Sequence, residues 1–299
     1  MHATQLDSQA QARSLAAARA EGRLRAIKLA VQQALIYIFL VVSAAAFLLP
    51  VLWLFLNTFK PKTEIFEHPS FALQHFTLIN YNQLLTATPF IRWYQNSLIV
   101  AVCHTLLALF FCSLAGYTFA KHNFPGKNLL FGILLATVMI PGVITLIPLF
   151  IWYAQLHVIN TYGILILPGS ASVFGIFMMR QYIQSVPSEI LDSARIDGCS
   201  EFRIYWNVIL PVITPALGAL TIFMFMESWN SFMGPLIFMR TPNMFTVPVG
   251  LSSLVGQDSP EYGMLMAGSV FSVLPLVVIF FAMQRQLVAG LTLGAIKGE

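Results

Sequence analysis

Residues 34–56 carry no formally charged side chain, and runs of similar length and polarity recur along the chain. Nothing else limits the fold as much. A hydrocarbon layer about 30 Å thick needs roughly 20 apolar residues in helical form, because a backbone in lipid must satisfy its own N–H and C=O groups. Six such runs are read, near 34–56, 97–120, 129–150, 162–180, 212–233 and 263–284. Pro168 and Gly169 interrupt the fourth. The stretch 151–163, "IWYAQLHVINTYG", holds Trp152, Tyr153 and His157 without a formal charge and is read as an amphipathic segment at the interface. Composition agrees: 58% of the 299 residues are hydrophobic and 9% charged, against about 25% charged in soluble domains.

The expected class is therefore an all-α polytopic membrane protein with six transmembrane helices. The stretch "SAAAF" near position 43 imitates a cleavage site, but the uncharged run is longer than the roughly 7 to 15 residues of a signal-peptide core. An uncleaved helix is expected. Basic residues orient it. Arg13, Arg19, Arg23, Arg25, Lys28, Lys121, Lys127, Arg180, Arg195, Arg203, Arg285 and Lys297 fall on one side, against Lys60, Lys62, Arg92 and Arg240 on the other. The larger group marks the cytoplasm, which places both termini there. The chain then divides into a partly ordered cytoplasmic arm (1–33), a six-helix domain (34–284) that includes a cytoplasmic loop at 181–211, and a cytoplasmic tail (285–299). No repeat of fixed period is seen.

Several chemistries are poorly supported. Lys and Arg outnumber Asp and Glu by 16 to 12, yet they gather on no single patch, so no nucleic-acid partner is expected. Cys103, Cys112 and Cys199 show no C-x-x-C spacing, and no metal site is expected. The one "FPGKN" stretch lacks the first glycine and the hydroxyl of a phosphate-binding loop. No H-E-x-x-H or G-x-S-x-G occurs, and no cluster of intramembrane acids and histidines suggests a proton relay.

The loop is informative. Pro187 and Ser188 suit a helix start, with Glu189 and Asp192 near its positive end. Asp197-Gly198 is a turn signal. Phe202, Tyr205, Trp206 and Ile209 recur at helical spacing, and Pro211 closes the segment. A helix-turn-helix that is apolar on one face and charged on the other fits a soluble partner, and it fits a covering interfacial helix as well.

Asp192-Ser193-Ala194, then Gly198, then after nine residues Val208-Ile209-Leu210-Pro211 resemble the "EAA" signature of membrane subunits of binding-protein-dependent ABC importers, in which Glu-Ala-Ala and a glycine precede Ile-x-Leu-Pro at this spacing. "GYTFAKHNFPGKN" (116–128), "MIPGVITLIPLF" (139–150), "SWNSFMGPLIF" (228–238) and "LVAGLTLGAIKG" (287–298) are similar to carbohydrate-class permeases, in particular the second, maltose-type subunit of a heterodimer. The resemblance spans about 34 to 298. It implies a coupling helix around 192–198 seated in an ATPase cleft, and tail residues Ala295, Ile296, Lys297 and Gly298 reaching between two ATPase copies. It implies a second permease, an extracytoplasmic solute-binding protein and a prokaryotic inner membrane. It also implies that ATP and Mg are bound by the ATPase, so that this chain is no enzyme.

Asp192 is expected to pair with a basic group of the partner, and Phe202 and Trp206 to anchor the loop to the bundle. Gly198 is expected to allow the sharp turn of the docked element.

Glu227 is the one carboxylate inside a predicted span. It is read either as a transport-path group or as a structural partner of a neighbouring helix. Trp229, Asn230 and Phe232 follow; they suit a hydroxyl-rich ligand, while Trp229 alone suits an aromatic belt. His104 is read as hydrogen-bonded packing. Pro141, Pro148, Pro168, Pro215 and Pro275 mark kinks or gates. Gly290, Gly294 and Gly298 have G-x-x-x-G spacing but fall beyond the last span. The expected function is a permease subunit of an ATP-driven sugar or polyol importer. A secondary transporter or channel working without an ATPase, and a permease for glycerol-phosphate esters, remain as alternatives.

Overall fold

The computed structural model describes the backbone of residues 2–67, 70–256 and 261–295, and side chains within 28–65, 70–256 and 261–286. The chain divides into two units, Met1–Asn57 and Thr58–Glu299, and no strand occurs among the described residues. The first unit is one helix, α1 (His2–Asn57). Its helix runs through the segment expected to be a partly ordered arm, because Ala, Gln, Arg and Glu are good helix formers. From Lys28 to Leu52 its apolar side chains are exposed on all sides, as a helix surrounded by hydrocarbon requires.

The second unit begins with two short helices, α2 (Lys62–Glu67) and α3 (Ile79–Ala87). Glu64 organises this loop. Its carboxylate accepts from the backbone N–H of Gln74 at 3.1 Å and of His75 at 3.2 Å, and lies 3.9 Å from the Lys60 ammonium. Burial raises its pKa, but the two N–H donors and Lys60 outweigh burial and hold it below the ordinary carboxylate value.

Next comes α4 (Phe90–Lys121), the long helix around which the unit is built. Its buried positions, among them Asn96, Val100, His104, Ala108, Cys112 and Gly116, recur every three or four residues, and Leu106 and Phe110 on the other side are exposed. That is one packed stripe and one stripe for lipid. Lys121 complements the negative helix end, and Pro125 follows before the chain can continue helically.

The third predicted span is broken. α5 (Lys127–Ala136) and a short 3₁₀ turn lead to α6 (Gly142–Gln155) through a 99° bend. Pro141 lacks an N–H and holds Ile140 extended at ψ 113°. The expected interfacial segment 151–163 is not a separate element. Its first residues continue α6, and the rest is a tight loop with positive φ at His157 and Asn160. Asn160 is bonded to Phe238, Arg240 and Thr241.

The fourth predicted span is not one continuous helix either. α7 (Gly163–Ile166) and α8 (Val173–Gln184) are separated by a break at Pro168-Gly169, where Gly169 has φ +82°. Ser172 caps α8 by accepting from the Gly175 N–H. A 12-residue helix reaches about 18 Å, short of the hydrocarbon thickness. α8 instead packs closely against α4. A Cβ added at Gly116 would fall 2.6 Å from Met179 Cβ and 2.9 Å from the Arg180 backbone, and one at Gly175 would fall 2.6 Å from Cys112 Sγ. Small residues let the two backbones meet.

The loop follows as α9 (Ser188–Ile196), α10 (Glu201–Ile204), a π-helical turn at Tyr205–Ile209 and α11 (Leu210–Val212). The helix runs one residue past Pro211 and then bends by 81° into α12 (Thr214–Trp229), with Pro215 in its first turn. Last come α13 (Met233–Phe238), α14 (Val247–Ser252) and α15 (Tyr262–Ala295), which continues through Pro275. Among the described residues, three helices are long and apolar enough to cross a membrane, and two bent pairs raise that to five. The six predicted spans are therefore not six continuous helices.

Gly116→Leu should cost about 1–3 kcal/mol through overpacking at the α4–α8 crossing and lower the melting temperature in detergent. Gly132→Leu on α5, where an added Cβ meets nothing within 4 Å, should leave it unchanged. For Glu64 the sign follows from its lowered pKa: its contribution is complete above the unfolded carboxylate value and is lost as pH falls through the lower folded value. Limited proteolysis within 59–78 should accelerate at acid pH in the wild type, and E64Q should remove that dependence.

Candidate functional site: a docking loop and a cavity

The loop between α8 and α12 has a tip and a base. At the tip α9 closes in a Schellman motif: Cys199 N–H donates to Ala194 O and Gly198 N–H to Arg195 O, both at 3.0 Å. Gly198 has φ +78°, and nothing lies within 4 Å of where its Cβ would be. The strain of any other residue there is conformational, about 1–2 kcal/mol, and a bulky group would project outward. Asp192, Ser193 and Asp197 are exposed around this turn, Ala194 is half-buried, and Ile196 is 87% exposed. Ser193 Oγ donates to Glu189 O at 2.7 Å.

At the base, Leu191, Ile204, Tyr205 and Ile209 are buried in the main core with Tyr117, Met179 and Ile183. The expected anchors are corrected here: Phe202 is 61% and Trp206 53% exposed, and their rings stack at 6.3 Å. The wide π turn shifts the inward register onto Tyr205, Ile209 and Ile213. Leu210 and Pro211 start α11, with Leu210 half-buried and Pro211 exposed.

A polar network that sequence spacing did not reveal ties the base to α4. Arg195 donates to both oxygens of Glu201, at 2.7 and 3.3 Å, and to Asp192 at 2.8 Å. Asp192 thus has a basic partner within its own chain. Hydrogen bonds from the guanidinium to Glu201 hold its pKa above the ordinary arginine value. Glu201 also accepts from Tyr117 Oη at 3.0 Å and lies 3.5 Å from His122 Nε2. Lys121 Nζ donates to Val186 O at 2.5 Å, and the Ser113 and Tyr205 hydroxyls meet at 2.8 Å in the core.

The cavity lies farther along α4. It measures about 220 Å³ and is bordered by His104, Tyr153, Glu227, Ser228, Ser231 and apolar groups such as Val100 and Phe238. Glu227 has no hydrogen bond or ion pair among the described residues, so its reading as a capped structural acid gains no support. His104 Nδ1 lies 3.0 Å from Ile166 O, the packing contact expected of it. Trp229 is 2% exposed, donates from Nε1 to Ser272 O at 3.0 Å and stacks on Phe225 at 5.8 Å. It is a core residue of the α4–α12–α15 packing, neither at the cavity nor in an aromatic belt. Asn230 is the exposed C-cap of α12 and Phe232 is half-buried before α13; neither lines the cavity. Among the described residues, no group of three or more His, Cys, Asp or Glu could hold a metal. Ile296, Lys297 and Gly298 of the tail lie outside the described residues, as does the Ala295 side chain.

Comparison with known proteins agrees with this architecture. Residues 108–292 match the family described as "Binding-protein-dependent transport system inner membrane component". The arabinooligosaccharides transport system permease protein AraQ of Bacillus subtilis is 37% identical over 265 residues, 87% of this chain and 94% of that one. The lactose transport system permease protein LacG of Rhizobium radiobacter is 35% identical over 260 residues, 86% of this chain and 94% of that one. The fold is similar to a chain of a bacterial ABC transporter involved in import of the acidic polysaccharide alginate, with a TM-score of 0.77 at 19% identity over 85% of this chain and 96% of that one. The chain belongs to the family of inner membrane components of binding-protein-dependent transport systems.

Trp229→Ala should cost about 3–5 kcal/mol and show as a large loss in a thermal melt. Glu227→Gln should stay within about 0.5 kcal/mol of wild type, so that any effect it has on uptake is read as function.

Proposed function

We propose that the chain is one of two permease subunits of an ATP-driven importer for a sugar or related polyol, working with a second permease, two ATPase copies and an extracytoplasmic solute-binding protein. The observation that carries this reading is the α9–α10 turn: a rigid, exposed tip on a buried base, of the shape a soluble ATPase can grip. Family membership supports it, since the family is defined by dependence on a binding protein. The relatives named above transport arabinooligosaccharides and lactose by their descriptions, and a carboxylate with two serine hydroxyls at the cavity suits hydroxyl-rich cargo. Glu227 is the proposed cargo contact. Asp192, Ser193, Asp197 and Gly198 form the proposed docking tip, and the segment 295–298 is the proposed second contact with the ATPases. ATP and Mg belong to the ATPase, and this chain does no catalysis.

The protein is assigned to a prokaryotic inner membrane, with lipid against its exposed apolar faces and both termini in the cytoplasm. A transporter working alone would give the tip no partner.

Affinity purification in mild detergent should recover an ATPase and a second permease, and Gly198→Trp should lose the ATPase while the folded chain remains. Solute flux persisting without ATP in the purified chain would overturn the reading.

A further inference from the structure

The loop is covalently continuous with α8 and α12, yet both junctions are breaks. α8 ends at Gln184 and Pro187 stands before α9, while an 81° bend at Ile213 separates the loop from α12. The backbone therefore gives the tip no straight helical path into α8 or α12. α4 differs: it is 32 residues long with no internal proline or break, about 48 Å from end to end.

Both ends of α4 hold polar contacts to other segments. At the loop end are Tyr117 to Glu201, Lys121 to Val186 O and the buried Ser113–Tyr205 pair. At the other end Trp93 Nε1 donates to Pro242 O, and Asn96 Nδ2 to Asn243 O and Phe245 O, all at 2.8 Å. The Val247 N–H donates to Ser97 Oγ at 2.8 Å. Between these ends, His104 and Val100 border the cavity, and His104 is about 20 Å along the helix from Tyr117.

We infer that α4 is the lever by which movement of the docking loop reaches the cavity, and that Tyr117, Glu201 and Arg195 are the positioning residues that couple loop to lever. Arg195 grips Glu201 with two donors, which fixes the plane of the carboxylate. The same carboxylate receives Tyr117, so α9, α10 and α4 meet at one group. The inference rests on the importer reading above. It adds that force leaves the loop through side chains, not along the chain.

The test uses the whole importer in vesicles, with solute uptake and ATP hydrolysis measured together. Tyr117→Phe removes one hydroxyl and keeps the ring in place. Solute moved per ATP should fall about tenfold, the scale of one hydrogen bond to a charged group, while the ATPase still co-purifies and its hydrolysis stays within about twofold of wild type. The double variant Ser113→Ala/Tyr205→Phe, which removes both partners of the buried pair, should show a smaller loss in the same ratio. Glu201→Asp, which keeps the charge, should recover part of the ratio lost in Glu201→Gln. An unchanged ratio in Tyr117→Phe overturns the inference. So does loss of the ATPase from that variant, which would make the network a means of seating the tip. Failure of wild type to recover an ATPase would instead sink the importer reading itself.

Discussion

A peptide group in hydrocarbon has no water to bond, and the fold follows from that restriction. Helices close their own hydrogen bonds, so the lipid-facing parts of the chain are helical, and the part of α1 beyond Lys28 shows the limit of a helix apolar all round. Wherever a helix breaks, side chains have to serve the backbone. Ser172 caps α8 after the Pro168-Gly169 break, and Asn96 and Trp93 bond three carbonyls of the 242–245 turn. Asn96, Trp93 and Ser172 thus supply bonds where the backbone leaves helical form.

Hydropathy made the helical class and the membrane setting legible, because lipid allows few alternatives. The runs at 34–56, 97–120 and 263–284 fall inside α1, α4 and α15, all of which extend beyond them: α1 begins at His2, α4 at Phe90, and α15 runs on to Ala295. It did not disclose that the stretch around 162–180 is a broken pair packed on α4, because its apolar content suits burial among helices as well as exposure to lipid. The break itself was visible in Pro168 and Gly169; only the packed neighbour, brought close by Gly116 and Gly175, gives it meaning.

At the loop, the turn at Gly198 could be read from two letters, since φ above zero favours glycine. The anchors could not. A spacing of 3.6 residues puts Phe202, Tyr205, Trp206 and Ile209 on one face, whereas the π turn leaves only Tyr205 and Ile209 buried. The Arg195–Glu201 pair was also out of reach. Its six-residue separation matches no helical neighbour, and the two meet only because the Schellman turn folds one helix back toward the other. Trp229 was misplaced for a related reason: it is buried with Ala101 in a cluster that Leu276 and Ile279 pack against, and it bonds to Ser272, all far away in sequence.

Ile196 gives the tip a second meaning. A β-branched apolar side chain that is 87% exposed forgoes, in water, roughly the 1.5–3 kcal/mol that burying such a group recovers. Farther down the loop, Phe202 and Trp206 add an exposed aromatic pair. A chain made in excess of its partners would carry that adhesive surface uncovered. If the loop docks as proposed, solubility and lifetime in the cell depend on subunit stoichiometry: the surface proposed for docking also marks an orphan for removal.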